Sequence, residues 1–231
     1  MNGLQNKREK EFSVLTAVQM KKLLDYVSNR ADLARQNGSV RAIIDELIIF
    51  LLIYAGLRPA EVCRLTLENL PLNNERNTLF IAASDQSAAR EIKVNSALTE
   101  CIARFIRVFR NEALPNEPLL VNERGSRFTY RSLYNKVKTV GANAGIGSLY
   151  PHILRNTFIL RLYNEAQDMH WVRQQVGHQS TKAAALCIRN LTNYPKKVKT
   201  GCEACGKLIS SSGTKIDSGQ ILCDECLKYF K

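Results

Sequence analysis

No stretch of this chain of 231 residues is apolar for long enough to cross a bilayer, which takes about 20 residues. The longest apolar run, Ile43 to Tyr54, is interrupted by Asp45 and Glu46, so no membrane span is expected. The first ten residues are polar and charged and no apolar h-region follows them, so a secretory signal is not expected. A reducing cytosol is then the expected compartment, and disulfides are not expected. Internal repeats and low-complexity tracts are lacking too, and 45% hydrophobic residues are enough to fill a core, so a disordered chain is not the expectation. Acidic charge is scarce: 21 Asp and Glu face 33 Lys and Arg, giving a net charge of +12 and a pI of about 9.5. That excess favours a polyanionic partner, with nucleic acid the first candidate and a merely basic protein the alternative. Histidine is scarcer still, with three residues at positions 152, 170 and 178.

Cysteine is unevenly spread. Of seven residues, Cys63, Cys101 and Cys187 are scattered, whereas Cys202, Cys205, Cys223 and Cys226 form two C-x-x-C pairs in the last thirty positions. The 17 residues between Cys205 and Cys223 are the interval expected of two knuckles closing one tetrahedral Zn²⁺ site. Four thiolates leave no coordination position open, so this zinc is expected to be structural, holding together a tail too small to fold otherwise. The basic segment 195–201 reads as a linker, so the expected organisation is a body over 12–194, the linker, and a zinc ribbon over 202–231. The residues leave the ribbon's partner open among DNA, RNA and protein.

Periodicity makes the body mainly helical. Thr16 with Gln19 is a capping-box pattern, and Leu15, Met20, Leu23, Leu24 and Val27 predict a helix over 16–29. A polar loop is expected over 30–39, then a buried helix over 40–55 stopped at Gly56. Pro59 suits the first turn of a short helix, Ala60 to Leu65, which places Arg58 at its start. Strands are expected at Leu79–Ile81 and Arg90–Asn95, as a small hairpin around a polar turn, and at Leu119–Val121. Further helices are expected over Ala97–Arg110, from the Thr129 cap to Ala144, from Pro151 to Asn164, over Met169–Val176 ended by Gly177, and over Thr181–Asn190.

Arg58 at a helix start, His152 and Arg155 as H-x-x-R, and His178 after the Gly177 turn are weak signals singly and informative together. At these residues the chain resembles the catalytic domain of tyrosine recombinases, the phage-integrase and Xer-like family. Leu-Ile-Tyr-Ala-Gly-Leu-Arg-Pro-Ala-Glu-Val-Cys-Arg-Leu at 52–65 is similar to the family's first box, Tyr-Pro-His-Ile-Leu-Arg at 150–155 to the second, and Val-Gly-His-Gln-Ser at 176–180 to the third. The 23 residues from Arg155 to His178 match the family's usual separation, and the resemblance covers about residues 12–190.

It implies a mainly α fold with a small antiparallel sheet, double-stranded DNA as partner, and a role in DNA recombination or integration. It also assigns Arg58 and Arg155 to clamping the phosphoryl oxygens, whose charge builds during strand transfer, and His152 and His178 to hydrogen bonding or proton movement beside them. The chain departs from the pattern at three places. The nucleophilic tyrosine, usually nine residues after the third-box histidine, is Cys187; residues 84–89 hold no lysine where the family carries one in the hairpin; and Asn156 replaces a frequent histidine. Tyr194 is the nearest downstream tyrosine. The family usually carries a helical domain before the catalytic one, whereas the family-like region here begins near residue 12, so half of the clamp on DNA is expected to be missing. The expectation is a DNA-binding protein of recombinase type, impaired in cutting DNA on its own, located in the cytoplasm and with the nucleoid in a prokaryote. Two alternatives stand beside it: a non-catalytic DNA-binding regulator or accessory factor, and a scaffold whose ribbon engages a protein partner, another recombinase among them.

Overall fold

Thr16 opens the first helix as its spacing predicts. Its hydroxyl accepts the Gln19 amide at 3.2 Å, and the Gln19 side chain accepts the Thr16 amide at 3.0 Å. The computed structural model describes residues 13–193, apart from 38, 72–76, 86, 123 and 179, together with 214–215 and 221–222.

Helix α1 runs over Ala17–Gln36, seven residues past its expected end. The extra turns are held by tertiary contacts: Ala31 and Ala34 are buried, and Arg35 reaches the carboxylate of Glu46. Helix α2, Val40–Tyr54, is apolar on nearly every side, and it forms the middle of the core, packing against α1, α4, α5 and α6. Its one fully buried carboxylate, Glu46, is matched by Arg35 and by Arg104 from α4. Helix α3, Pro59–Arg64, is followed by a single 3₁₀ turn at Leu67–Asn69.

Strands β1, Thr78–Ile81, and β2, Arg90–Lys93, pair antiparallel as the expected hairpin, with Leu79 opposite Ile92 and Ile81 opposite Arg90. Alternation puts Leu79, Ile81, Ile92 and therefore Arg90 on the inner face. Beyond β2, Asn95 caps α4, Ser96–Phe109, by accepting the Leu98 amide at 3.0 Å. The strand expected at Leu119–Val121 is not one: Val121 makes a single bridge with Arg127 and the preceding Pro118 one with Thr66, because the neighbours are loops and not strands.

Helix α5, Tyr130–Asn143, is capped by Thr129 as predicted, and α6, Pro151–Ala166, α7, Met169–Val176, and α8, Thr181–Asn193, complete the body. The last three enclose a second apolar cluster of Phe158, Ile159, Leu162, Val172, Val176, Ile188 and Leu191. Strands β3, Thr214–Lys215, and β4, Ile221–Leu222, pair antiparallel in the interval between Cys205 and Cys223. The linker 195–201, Tyr194 and the four tail cysteines lie outside the described residues. No helix among the described residues is long and apolar enough to cross a membrane.

Candidate functional site

Two glycine turns bring the basic residues together. Gly56 has φ +58, and a Cβ there would stand 2.1 Å from Phe158 Cδ1, so only glycine lets the chain leave α2 so close to α6. Two residues later Arg58 caps α3, with Pro59 setting the first helical position. Glu61, at the third position of α3, accepts the Arg58 amide at 2.8 Å on Oε2 and the Arg58 Nη1 at 3.0 Å on Oε1. Gly177, at φ +70, ends α7, and the amides of Gly177 and His178 both return to the Arg173 carbonyl at 3.0 and 3.2 Å. This cap fixes where His178 leaves the helix.

Three guanidiniums converge on the carbonyls that close α7. Arg58 Nη2 donates to Gly177 O at 2.9 Å, Arg155 Nη2 to Val176 O at 2.9 Å, and Arg90 Nε to Gln175 O at 3.1 Å. Arg155 Nη1 also donates to Gly56 O, so the buried Arg155 side chain ties both glycine turns together. Terminal helix carbonyls lack intrahelical donors and carry partial negative charge, which suits cations at this end. Glu61 sits among the three, paired by Arg90 through two hydrogen bonds of 2.9 Å as well as by Arg58. One carboxylate against three guanidiniums leaves the cluster electropositive.

The electrostatics follow from that imbalance. Burial alone would raise the Glu61 carboxyl, but the hydrogen bonds and charge of Arg90, the Arg58 amide and the Arg155 charge hold it down at about 2. Burial, then the Arg58 charge, brings Arg155 down to about 9, which leaves it a cation at neutral pH. Burial and the charges of Arg155, Arg58 and Arg90 depress His178 to about 4, so its imidazole is neutral at pH 7. Its Nδ1 is buried and has no hydrogen-bond partner among the described residues.

Arg58, Arg155 and His178 are thus brought together. His152 lies one turn before Arg155 on α6, and its ring stacks on Tyr150 at 5.6 Å and 10°. Cys187, on α8, packs beside the second apolar cluster; burial raises its thiol pKa, against the pull of the Arg155 charge. Two residues of the cluster, Glu61 and Arg90, were not among the sequence candidates. Glu61 had a signal, an acid at the third position of a helix whose start was predicted. Arg90 had none, because its partner lies 29 positions away.

The sequence profile described as the phage integrase family matches residues 13–189. The chain belongs to the phage integrase family. The matched span holds Arg58, Glu61, Arg90, His152, Arg155, His178 and Cys187 and stops short of the cysteine tail. Among its relatives, the tyrosine recombinase XerC of Roseiflexus castenholzii is 25% identical over 165 residues, 69% of this chain and 52% of its own. The tyrosine recombinase XerA of Thermococcus kodakarensis is 25% identical over 168 residues, 71% of this chain and 57% of its own. This phage integrase family member therefore spans about half the length of the relatives it matches.

Solved structures share the fold. The XerA recombinase crystal structure superposes with a TM-score of 0.63 at 19% identity, covering 78% of this chain and 63% of that one. The XerH site-specific recombinase, bound to a palindromic difH substrate in a post-cleavage complex, gives 0.63 at 21% identity, covering 80% of this chain and 50% of that one. The mainly helical body with its two-stranded sheet is the tyrosine recombinase catalytic fold.

Proposed function

We propose that this protein binds double-stranded DNA and acts in DNA recombination or integration, with Arg58 and Arg155 gripping a backbone phosphate beside His152 and His178. The observation that carries this is the convergence of Arg58 and Arg155 on the α7 terminus next to His178. Guanidiniums held by carbonyls are already oriented before an anion arrives, and each has five N–H donors, more than the two hydrogen bonds through which the carbonyls and Glu61 hold it. The imidazole of His178, neutral beside the guanidiniums, suits a hydrogen bond to a phosphoryl oxygen or a proton transfer near it.

The protein is also proposed to be impaired in cleaving DNA by itself. Cys187 stands where the spacing expects the nucleophilic tyrosine, and only a thiolate attacks well. Burial raises this thiol, which keeps it protonated at neutral pH. The hairpin turn offers no lysine to protonate a leaving oxygen. A DNA-binding accessory or regulatory role is favoured by the same half-buried, protonated thiol.

The tail is proposed to be a structural zinc ribbon on Cys202, Cys205, Cys223 and Cys226, linked to the body through 195–201. The matched C-x-x-C pairs support it, as does the antiparallel pairing of Thr214–Lys215 with Ile221–Leu222 between them. Bound there, zinc supplies folding energy and no catalytic chemistry.

The test mixes the full chain with sheared DNA of its source and measures DNA retained before and after a denaturing wash. Retention before the wash, loss after it, and weaker retention by Arg58→Ala are expected. Unchanged retention by Arg58→Ala would overturn the phosphate pocket. DNA that survives the wash with the parent protein and not with Cys187→Ser would overturn the claim of impaired cleavage.

A further inference from the structure

We infer that Arg90 is a positioning residue for the phosphate pocket: it neutralises Glu61 and so leaves the charge of Arg58 to a DNA phosphate. The inference rests on the DNA-binding reading above.

Arg90 does not itself face the solvent. It lies on the inner face of the hairpin opposite Ile81, and its side chain is 7% exposed. All three guanidinium nitrogens are engaged, Nε with Gln175 O and both terminal nitrogens with Glu61. Arg58 keeps 24% of its side chain exposed, enough to reach an incoming anion. Both arginines meet the same carboxylate oxygen, at 2.9 Å from Arg90 and 3.0 Å from Arg58.

The charge balance follows. Glu61 is deeply buried, where opposite charges a few ångströms apart interact far more strongly than in water. With Arg58 as its sole hydrogen-bonded cation, the pair would sum to zero, and a phosphate would meet the repulsion of Glu61 together with the attraction of Arg58. Arg90 adds a second positive charge on the same carboxylate, so the trio carries +1. The hairpin, which lacks a lysine in residues 84–89, thereby contributes through its second strand. Its contact with Gln175 O also ties that strand to the helix end that holds Arg58 and Arg155.

The test is a double-mutant cycle on the full chain, reading affinity for a fluorescein-labelled random-sequence duplex by anisotropy, with circular dichroism melts to confirm folding. Hydrogen bonds to charged groups suggest that Arg58→Ala and Arg90→Gln each weaken binding by about tenfold. If Arg90 acts through Arg58, adding Arg90→Gln to Arg58→Ala costs no more than about a further twofold. Removing the carboxylate as well, in Glu61→Gln/Arg90→Gln, restores binding to within about threefold of the parent, which a structural role of Arg90 would not allow. Additive losses, or no rescue by Glu61→Gln, overturn the inference and leave the pocket standing. An Arg58→Ala protein that binds like the parent overturns both. If Arg90→Gln fails to fold, Arg90→Lys decides: it keeps the charge and is expected within about threefold of the parent, and a loss as large as that of Arg58→Ala overturns the inference.

Discussion

The depressed pKa of His178 makes stability depend on pH over a defined window. Its value is about 4 in the folded protein against an ordinary 6.5, because burial and the charges of Arg155, Arg58 and Arg90 oppose protonation. Between these values the unfolded chain binds a proton that the folded chain refuses. The stability associated with neutral His178 is therefore present in full above pH 6.5 and is lost as pH falls towards 4. At about 1.4 kcal/mol per pKa unit, the whole difference is about 3 kcal/mol, of which about 2 kcal/mol is gone by pH 5. Glu61 works in the same direction in a lower window, between its ordinary 4.5 and about 2, so measurements above pH 5 report mainly His178. Urea unfolding of the parent and of His178→Gln at several pH values from 7.5 to 5 gives the comparison. The gap between the two curves should change by about 2 kcal/mol over that range, the parent losing more. Parallel curves would refute the reasoning and mean that burial and the three guanidiniums together do not depress this imidazole.

Other outcomes follow from the two turns, the pocket and the tail. Gly56→Ala places a Cβ 2.1 Å from the Phe158 ring at a left-handed φ, and should cost about 3 kcal/mol or more in denaturant unfolding. Gly177→Ala at φ +70 sets its Cβ 2.7 Å from Arg90 Cζ, and should cost about 2 kcal/mol and weaken DNA binding together, read by unfolding and anisotropy. A phosphate docked beside His178 raises its pKa, so DNA affinity at fixed salt should increase as pH falls from 7 to 5, and His178→Gln should flatten that profile. Elemental analysis of the full chain should find about one zinc per chain, lost in Cys202→Ser/Cys205→Ser while the helical body still melts cooperatively.

Local signals carried much of the fold. The Thr16 box, the Thr129 cap and the glycine stops sit within one turn of the residues they control, so sequence alone exposes them. The continuation of α1 to Gln36 escaped because it depends on the Arg35 contact with Glu46 in another helix, against a polar local sequence. Leu119 to Val121 looked like a strand from its side chains but has no strand beside it to complete a ladder. The same distinction divides the site. Arg58, Arg155 and His178 were visible because each lies in a recognisable local pattern, whereas the role of Arg90 is set by a carboxylate 29 positions away.

The arginines are held by peptide carbonyls at Gly56, Gln175, Val176 and Gly177, and three of those four belong to the final turn of α7 and its glycine cap. The grip itself is made by backbone, while the side chains at 175 and 176 set where that backbone lies, Gln175 Oε1 by accepting the Lys93 amide at 3.2 Å and Val176 by its burial in the second apolar cluster. A transient fraying of that one turn takes a carbonyl from Arg58, Arg90 and Arg155 in a single event and leaves Arg58 and Arg90 on Glu61 and Arg155 on Gly56 O, so the three loosen as a unit and not one by one. Amide exchange at the α7 terminus is consequently a gauge of how often the phosphate pocket exists, measurable without any DNA in the tube.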